Sequence, residues 1–542
     1  MSCAPYPVEV RLGNVTLPTN QVVRGMNMSI GEPPQPIALL PLWPLNNTII
    51  YGTNGYCLDG SPNSGTWTDT ACATFRGGAY DSIASNSKTT IDSSVYPNDT
   101  APDDTEGGSK YPQVTHVADT LTLNDNVTLS SFPFSVALSD WGAQAYTPMM
   151  GIGLGTNSTL LNFLKSTGKI ASRSYSYFWG LTVAGTSASS LDGSVVFGGY
   201  DKAKVAGTKY TQAMTDNVAE CPSQLLVTVS DIVLNFANGT DASIFSASKA
   251  PAFLACLTPG LSTLMRLPLE PYFDNMMTLT KNDPLKISRS LGVYYWNMRY
   301  ESTGYTPYQG DMTIKLQSGL SVRIANNQLV RPHTEIDQTT GTTIVNATAP
   351  DLVIDSLQNS EAEKLPQIGW QFFTAAYLHV NQDSKKFTLW QANPTTTTNL
   401  VAVDSTGQEI TSFCAEATEI AVNTTAPVAS IPKPSSSPPV AAIAGSVVAG
   451  VVVSAIAIAL WWFYRRRSIK ARNAKEFSDA QLQSAVNNKD EKESASILIS
   501  AFTSSELEGE SVAAPAELYA GRYSYSGINQ KPQRQTRYEM PG

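Results

Sequence analysis

The stretch Ile30 to Tyr51, IGEPPQPIALLPLWPLNNTIIY, is a proline-punctuated turn running into an apolar strand that carries no acid. From Pro33 to Leu58 neither Asp nor Glu occurs in any register. A second apolar window, Ala252 to Pro268 (AFLACLTPGLSTLMRLP), is equally bare, with no acid between Ala242 and Leu269. Around both windows charged residues make up only 15% of the chain, and short Val, Thr, Ser, Phe and Tyr-rich runs alternate with turns such as NGT and QDSK. That pattern predicts an all-β fold, with Ser158 to Thr167 (STLLNFLKST) as the best helix candidate.

The two windows gain meaning from what surrounds them. Ile30, Gly31, Pro33 and Gln35 match the Ile-Gly-x-Pro-x-Gln frame that leads into the first active-site strand of pepsin-like aspartic proteases. Pro148-Met149-Met150-Gly151-Ile152-Gly153-Leu154-Gly155 resembles the apolar-apolar-Gly element that threads beneath the first catalytic loop. Gly193-Ser194-Val195-Val196-Phe197-Gly198-Gly199-Tyr200-Asp201 resembles a strand near the junction of the two lobes. Ile368-Gly369-Trp370-Gln371-Phe372-Phe373, continuing through Tyr377, Val380 and Phe387-Thr388-Leu389, is similar to the segment that closes that fold. The resemblance implies a bilobal pepsin-like fold, with an N-terminal lobe over residues 1–205 and a C-terminal lobe over 206–417.

Against this frame the catalytic acids are missing. The positions that should read Asp-Thr-Gly-Ser are Leu42, Trp43, Pro44 and Leu45, and the second aspartate would fall near Thr258 or Pro259. Asp-Thr-Gly and Asp-Ser-Gly occur nowhere, and Asp404-Ser405-Thr406-Gly407 has its glycine one place too late. Aspartic proteases work through two carboxyl groups that share a proton, one activating water while the other polarises the scissile carbonyl. Leucine cannot deprotonate water, and a threonine hydroxyl titrates far too high. Each positioned acid or base contributes about 10² to 10⁴ in rate, so loss of both leaves no useful peptidase. The flap tyrosine position falls near Gly107, within an acidic, turn-rich segment (97–110), with Tyr96 and Tyr111 as distant substitutes. No replacement chemistry is evident. His116, His333 and His379 lack metal-ligand spacing, and neither a Gly-x-Ser-x-Gly elbow nor a phosphate loop is present. No cofactor and no metal are expected.

Topology is written in a second stretch, Val440 to Tyr464, whose 25 residues carry no charge and suffice to cross a ~30 Å hydrocarbon layer. Trp461, Trp462 and Tyr464 suit an interface, and Arg465, Arg466, Arg467, Lys470 and Arg472 follow, so the positive-inside rule puts the C-terminus in the cytoplasm. The span 440–464 is therefore expected as a single transmembrane helix, after a Ser/Thr/Pro stalk at 418–439 and before a disordered cytoplasmic tail at 465–542. Sequons at Asn14, Asn27, Asn46, Asn98, Asn126, Asn157, Asn238, Asn346 and Asn423 all precede the span, as do the six cysteines. Both facts point to a glycosylated, disulfide-bonded ectodomain at the cell surface. Cys57 with Cys72 is the best pairing, and the other four cysteines are left unassigned. The starting residues, MSCAPYPVEV, have no apolar signal core, so a signal peptide is expected to be missing from this chain. Outside the membrane and through the span the chain carries 24 basic and 35 acidic residues, net −11, which argues against nucleic acid as a partner. The combination resembles membrane-anchored, degenerate aspartic-protease homologues of fungi.

Three functions compete. The first is a catalytically dead pepsin-like surface glycoprotein that binds a peptide or cell-wall ligand in a cleft lined by Leu42, Trp43, Leu45, Thr258 and Gly260. A second is an active endopeptidase that recruits carboxylates from elsewhere. The third is a structural wall glycoprotein with a collapsed cleft. A partner for the tail cannot be named from sequence.

Overall fold

A computed structural model describes residues 3–43, 45–53, 68–92, 114–137, 151–182, 190–217, 219–246, 248–282, 288–300, 306–357 and 361–414. Strands dominate them, as the turn-separated runs of β-branched and aromatic residues predict. The alternation is plain in Val8–Thr16, where Val8, Val10 and Leu12 point into the core and Arg11 and Asn14 outward. The expected helix forms as Thr159–Ser166, with the Ser158 side chain accepting from the Leu161 amide at its N-terminus. Two short helices that the sequence did not announce, Asp69–Phe75 and Asp274–Thr280, follow each apolar window.

Two large sheets carry the molecule. A 13-stranded sheet runs from the first half of the chain and takes in strands Val205–Ala213, Ala376–Asn381 and Lys386–Ala392 from the second. An 8-stranded sheet lies wholly within residues 226–368. The sheets therefore do not divide at 205/206, because Ala376–Asn381 returns to pair with Ser174–Leu181 through Leu378 opposite Tyr177 and Val380 opposite Tyr175.

The sheets share one internal pattern that no sequence repeat reveals. In the first, Gln35–Leu42 lies antiparallel to Val22–Ile30 and parallel to Gly151–Gly153; Ile49–Tyr51 then runs antiparallel to Gly151–Gly153 and parallel to Val127–Ala137. In the second, Phe253–Leu257 lies antiparallel to Leu226–Phe236 and parallel to Gln367–Ile368; Met265–Pro268 is antiparallel to Gln367–Ile368 and parallel to Ile354–Leu357. Each half thus sends a strand up and down astride a third strand that arrives later in sequence. The turns that follow the first strand of each pair, Trp43 with residues 45–48 and residues 258–264, occupy equivalent places.

That threading demands glycine. A Cβ on Gly151 would collide with the Leu40 carbonyl oxygen, and one on Gly369 would lie 2.5 Å from Leu261 O and closer still to Thr263 O. The backbone of the threading strand passes where a side chain would have to be.

Two disulfides are formed by cysteines that spacing left unassigned, Cys3 with Cys414 and Cys221 with Cys256. Cys72 is disulfide-bonded, and its expected partner Cys57 lies outside the described residues. So do the segment at 97–110 where a flap is expected, the expected stalk, the apolar span and the expected tail; among the described residues no helix is long and apolar enough to cross a membrane. Of the sequon asparagines, Asn14, Asn27, Asn126, Asn157 and Asn238 are exposed and Asn46 and Asn346 half-buried, while Asn98 and Asn423 fall outside the described residues.

Candidate functional site

The paired loops approach each other. A Cβ placed on Gly260 would lie 3.1 Å from the Pro41 carbonyl oxygen, so the second loop abuts the end of the strand that carries Leu42. Tyr177, from Ser174–Leu181, donates its hydroxyl to the Pro259 carbonyl at 3.2 Å while its ring meets Trp43 edge-on at 5.3 Å. Trp43 also packs edge-on against Tyr175 at 6.1 Å, and Tyr177 against Phe373 at 5.2 Å. Burial pushes the Tyr175 and Tyr177 hydroxyls far above the ordinary phenol range, so both stay neutral hydrogen-bonding groups. An aromatic post from the 13-stranded sheet therefore stands under both loops.

This arrangement corrects the expected lining. Trp43 and Leu45 are each 2% exposed. They face inward, so they cannot offer a surface to a ligand. Leu42, Leu45, Ile49 and Tyr51 form one apolar cluster with Cys72 and Ala73 of the Asp69–Phe75 helix and with Ala137. The physical reason is side-chain chemistry: leucine and tryptophan gain by closing onto apolar neighbours. Access remains at Thr258 and Gly260, both half-buried. The Thr258 amide donates to Ile368 O at 2.7 Å and its hydroxyl is 3.4 Å from Cys256 O.

The buried carboxylates of the described residues have other tasks. Asp119 accepts from the hydroxyls of Tyr80 and Ser87, each at 2.5 Å, and from the Thr120 amide at 2.8 Å. Burial alone would lift its titration, but these donors outweigh it and hold Asp119 below the usual carboxylate range. Asp355 lies between Arg266 at 3.1 Å and Arg289 at 2.6 Å, and Asp201 bonds Lys204 at 2.5 Å. Burial raises Asp355 despite its two arginines. Asp351 accepts from Ser290 at 2.9 Å and meets His333 Nδ1 at 3.0 Å; burial raises it against both partners. Each of these acids therefore has a cation, hydroxyl or imidazole as its partner.

The histidines stay apart. His116 Nδ1 lies 3.0 Å from Ser135 Oγ, and His333 belongs to the Asp351 cluster. Among the described residues no group of His, Cys, Asp and Glu could hold a metal ion. His379 is buried beside Tyr200 and its Nε2 finds no partner. Burial pushes its titration down to about 4. Since the folded value is below the unfolded ~6.5, the unfolded chain takes up the proton first on acidification, and stability present above pH ~6.5 is lost towards pH 4. The loss is roughly 3 kcal/mol. Replacing His379 by phenylalanine is expected to flatten the fall in melting temperature over that interval; identical pH profiles for the two proteins would refute it.

Sequence reasoning missed the aromatic post. The density of rings in Ser174–Leu181, SYSYFWGL, was the available signal, but nothing in one sequence tells which ring faces which loop.

No protein-family model matches this chain, and no curated protein matches it. Among solved structures the chain is similar to "Crystal structure of aspartic proteinase from Irpex lacteus", at 16% identity and a TM-score of 0.41, over 72% of this chain and 100% of that one.

Proposed function

We propose that the chain is a pepsin-like surface glycoprotein that is silent in catalysis and binds a peptide or wall ligand between its halves. The observation that carries this reading is the pair of loops of equal topology, the second of which abuts the first strand at Pro41 through Gly260, with leucine and threonine where a protease would place its two acids. Its membrane anchor is the apolar span at 440–464, which would leave the folded part outside the cell with its sequons exposed to glycosylation. The filled floor at Trp43 and Leu45 also favours a second reading, a structural glycoprotein that retains no ligand at all.

The test is incubation of the full chain with a peptide library from about pH 3 to 7, the interval in which a shared carboxyl proton would titrate, with and without pepstatin. No cleavage is expected. Pepstatin-sensitive cleavage would overturn the inactive reading, and failure of peptides and wall extracts alike to be retained would favour the structural one. Removal of N-glycans from the same preparation should lower its apparent mass; an unchanged mass would defeat the glycoprotein assignment.

A further inference from the structure

The segment between Ser288–Arg289 and Met298–Arg299, which pair antiparallel, holds an aromatic side chain in a costly way. Trp296 has φ +65°, and among the described residues it is the one aromatic at positive φ; the other non-glycine cases are Asn20, Ser131, Gln224, Lys249, Lys281 and Lys385. A bulky side chain in the left-handed region persists only where surrounding contacts over-determine it, and such positions cluster at functional sites.

The contacts are specific. The Trp296 amide donates to Ser290 O at 2.7 Å, and its carbonyl accepts from Arg289 Nη1 at 3.2 Å. Arg289 is itself fixed by Asp355 at 2.6 Å and Ser356 Oγ at 3.3 Å. Next along, Asn297 Nδ2 donates to the Ser262 carbonyl at 2.7 Å, which ties this segment to the second of the paired loops. Yet the indole so carefully held is not used to build the core, since it remains 39% exposed. Tyr295 lies beside it, half-buried, ring centroids 5.7 Å apart and planes 30° from parallel, and Leu291, earlier in the same segment, is 69% exposed.

We propose that Tyr295 and Trp296 form a platform for a neutral pyranose oligosaccharide at the rim of the paired loops. An exposed indole flanked by a half-buried phenol ring suits a ligand that is itself flat, apolar on one face and hydrated at its edges, as a pyranose ring is. The Arg289 guanidinium, paired with Asp355, lies over the indole at 6.0 Å from its centre and already fills the cation–π position that a cationic ligand would need. The net −11 charge of the residues up to the end of the stalk disfavours a polyanionic one. A peptide side chain gains most from enclosure in a pocket, which this platform does not give it. The assignment names the ligand class for the binding reading above and rests on that reading for the rim's role.

Calorimetric titration of the full chain with laminarihexaose, chitohexaose and mannohexaose tests it, beside a dodecapeptide rich in leucine. At least one saccharide is expected to bind. Trp296→Gly should weaken that binding about tenfold or more while leaving the melting temperature equal or higher, because glycine adopts the left-handed backbone without strain. Trp296→Phe should retain part of the affinity. Binding of none of the saccharides, binding unchanged in Trp296→Gly, a melting temperature lowered by Trp296→Gly, or binding of the peptide alone would overturn the proposal. Peptide cleavage by the same preparation, which would defeat the inactive reading, leaves the saccharide result standing on its own.

Discussion

Gly151→Ala is expected to abolish cooperative folding of the first half. The added methyl would overlap the Leu40 carbonyl oxygen across the parallel pairing of Gln35–Leu42 with Gly151–Gly153, and since the atoms it meets are Leu40 backbone no flexible side chain can give way. Overpacking in ordinary cores costs about 1 to 3 kcal/mol, and a clash against backbone exceeds that, above the ~4 kcal/mol that marks exceptional substitutions. Gly260→Ala is the control. Its Cβ would meet only the Pro41 carbonyl, at 3.1 Å, so a shift of a few tenths of an ångström accommodates it. Circular dichroism melts of the two variants should differ by many degrees; equal melts would show that the threaded strand is not what holds the first loop.

The second large effect concerns the terminal staple. Cys3–Cys414 closes a span of 411 residues, and the chain-entropy treatment assigns such a closure about 6 kcal/mol as a ceiling, with native disulfides commonly worth ~2 to 5. Backbone contacts reinforce it: the Ala4 amide donates to Ser412 O at 3.1 Å, the Cys414 amide to Ala4 O at 2.9 Å, and Tyr6 packs on Phe413 at 5.0 Å. Both cysteines are exposed, so mild reductant reaches them. The double substitution Cys3→Ser with Cys414→Ser is expected to lower the melting temperature by several degrees and to make residues 3–7 labile in hydrogen exchange. Unchanged melting together with unchanged exchange would mean that the strand pairing alone secures the terminus. The staple sits just before the stalk, so under the proposed topology it also keeps the first residues fastened at the point of anchorage.

Legibility from sequence followed the range of the interaction. Local patterns were readable: the β-rich runs between turns, found as strands, and the helix candidate Ser158 to Thr167, found as Thr159–Ser166. The decoy at Asp404 proves to be a turn, its carboxylate accepting from Thr406 and Gln408 amides at 2.8 and 2.9 Å. Pairings between distant cysteines were not readable, since Cys3 and Cys414 could have met any of several partners.

The amino-acid sequence alone determined that no acid stands at either loop, because the absence of a carboxylate needs no coordinates. It also determined the β-rich character, through its short β-branched and aromatic runs set between turns. Only the tertiary structure decided that Trp43 and Leu45 are buried rather than displayed, and that Trp296 is exposed. Whether an apolar side chain is hidden or offered depends on what packs over it, and the covering groups here, Tyr175 and Tyr177 over Trp43 and Cys72 and Ala73 beside Leu45, come from segments that the sequence places far away.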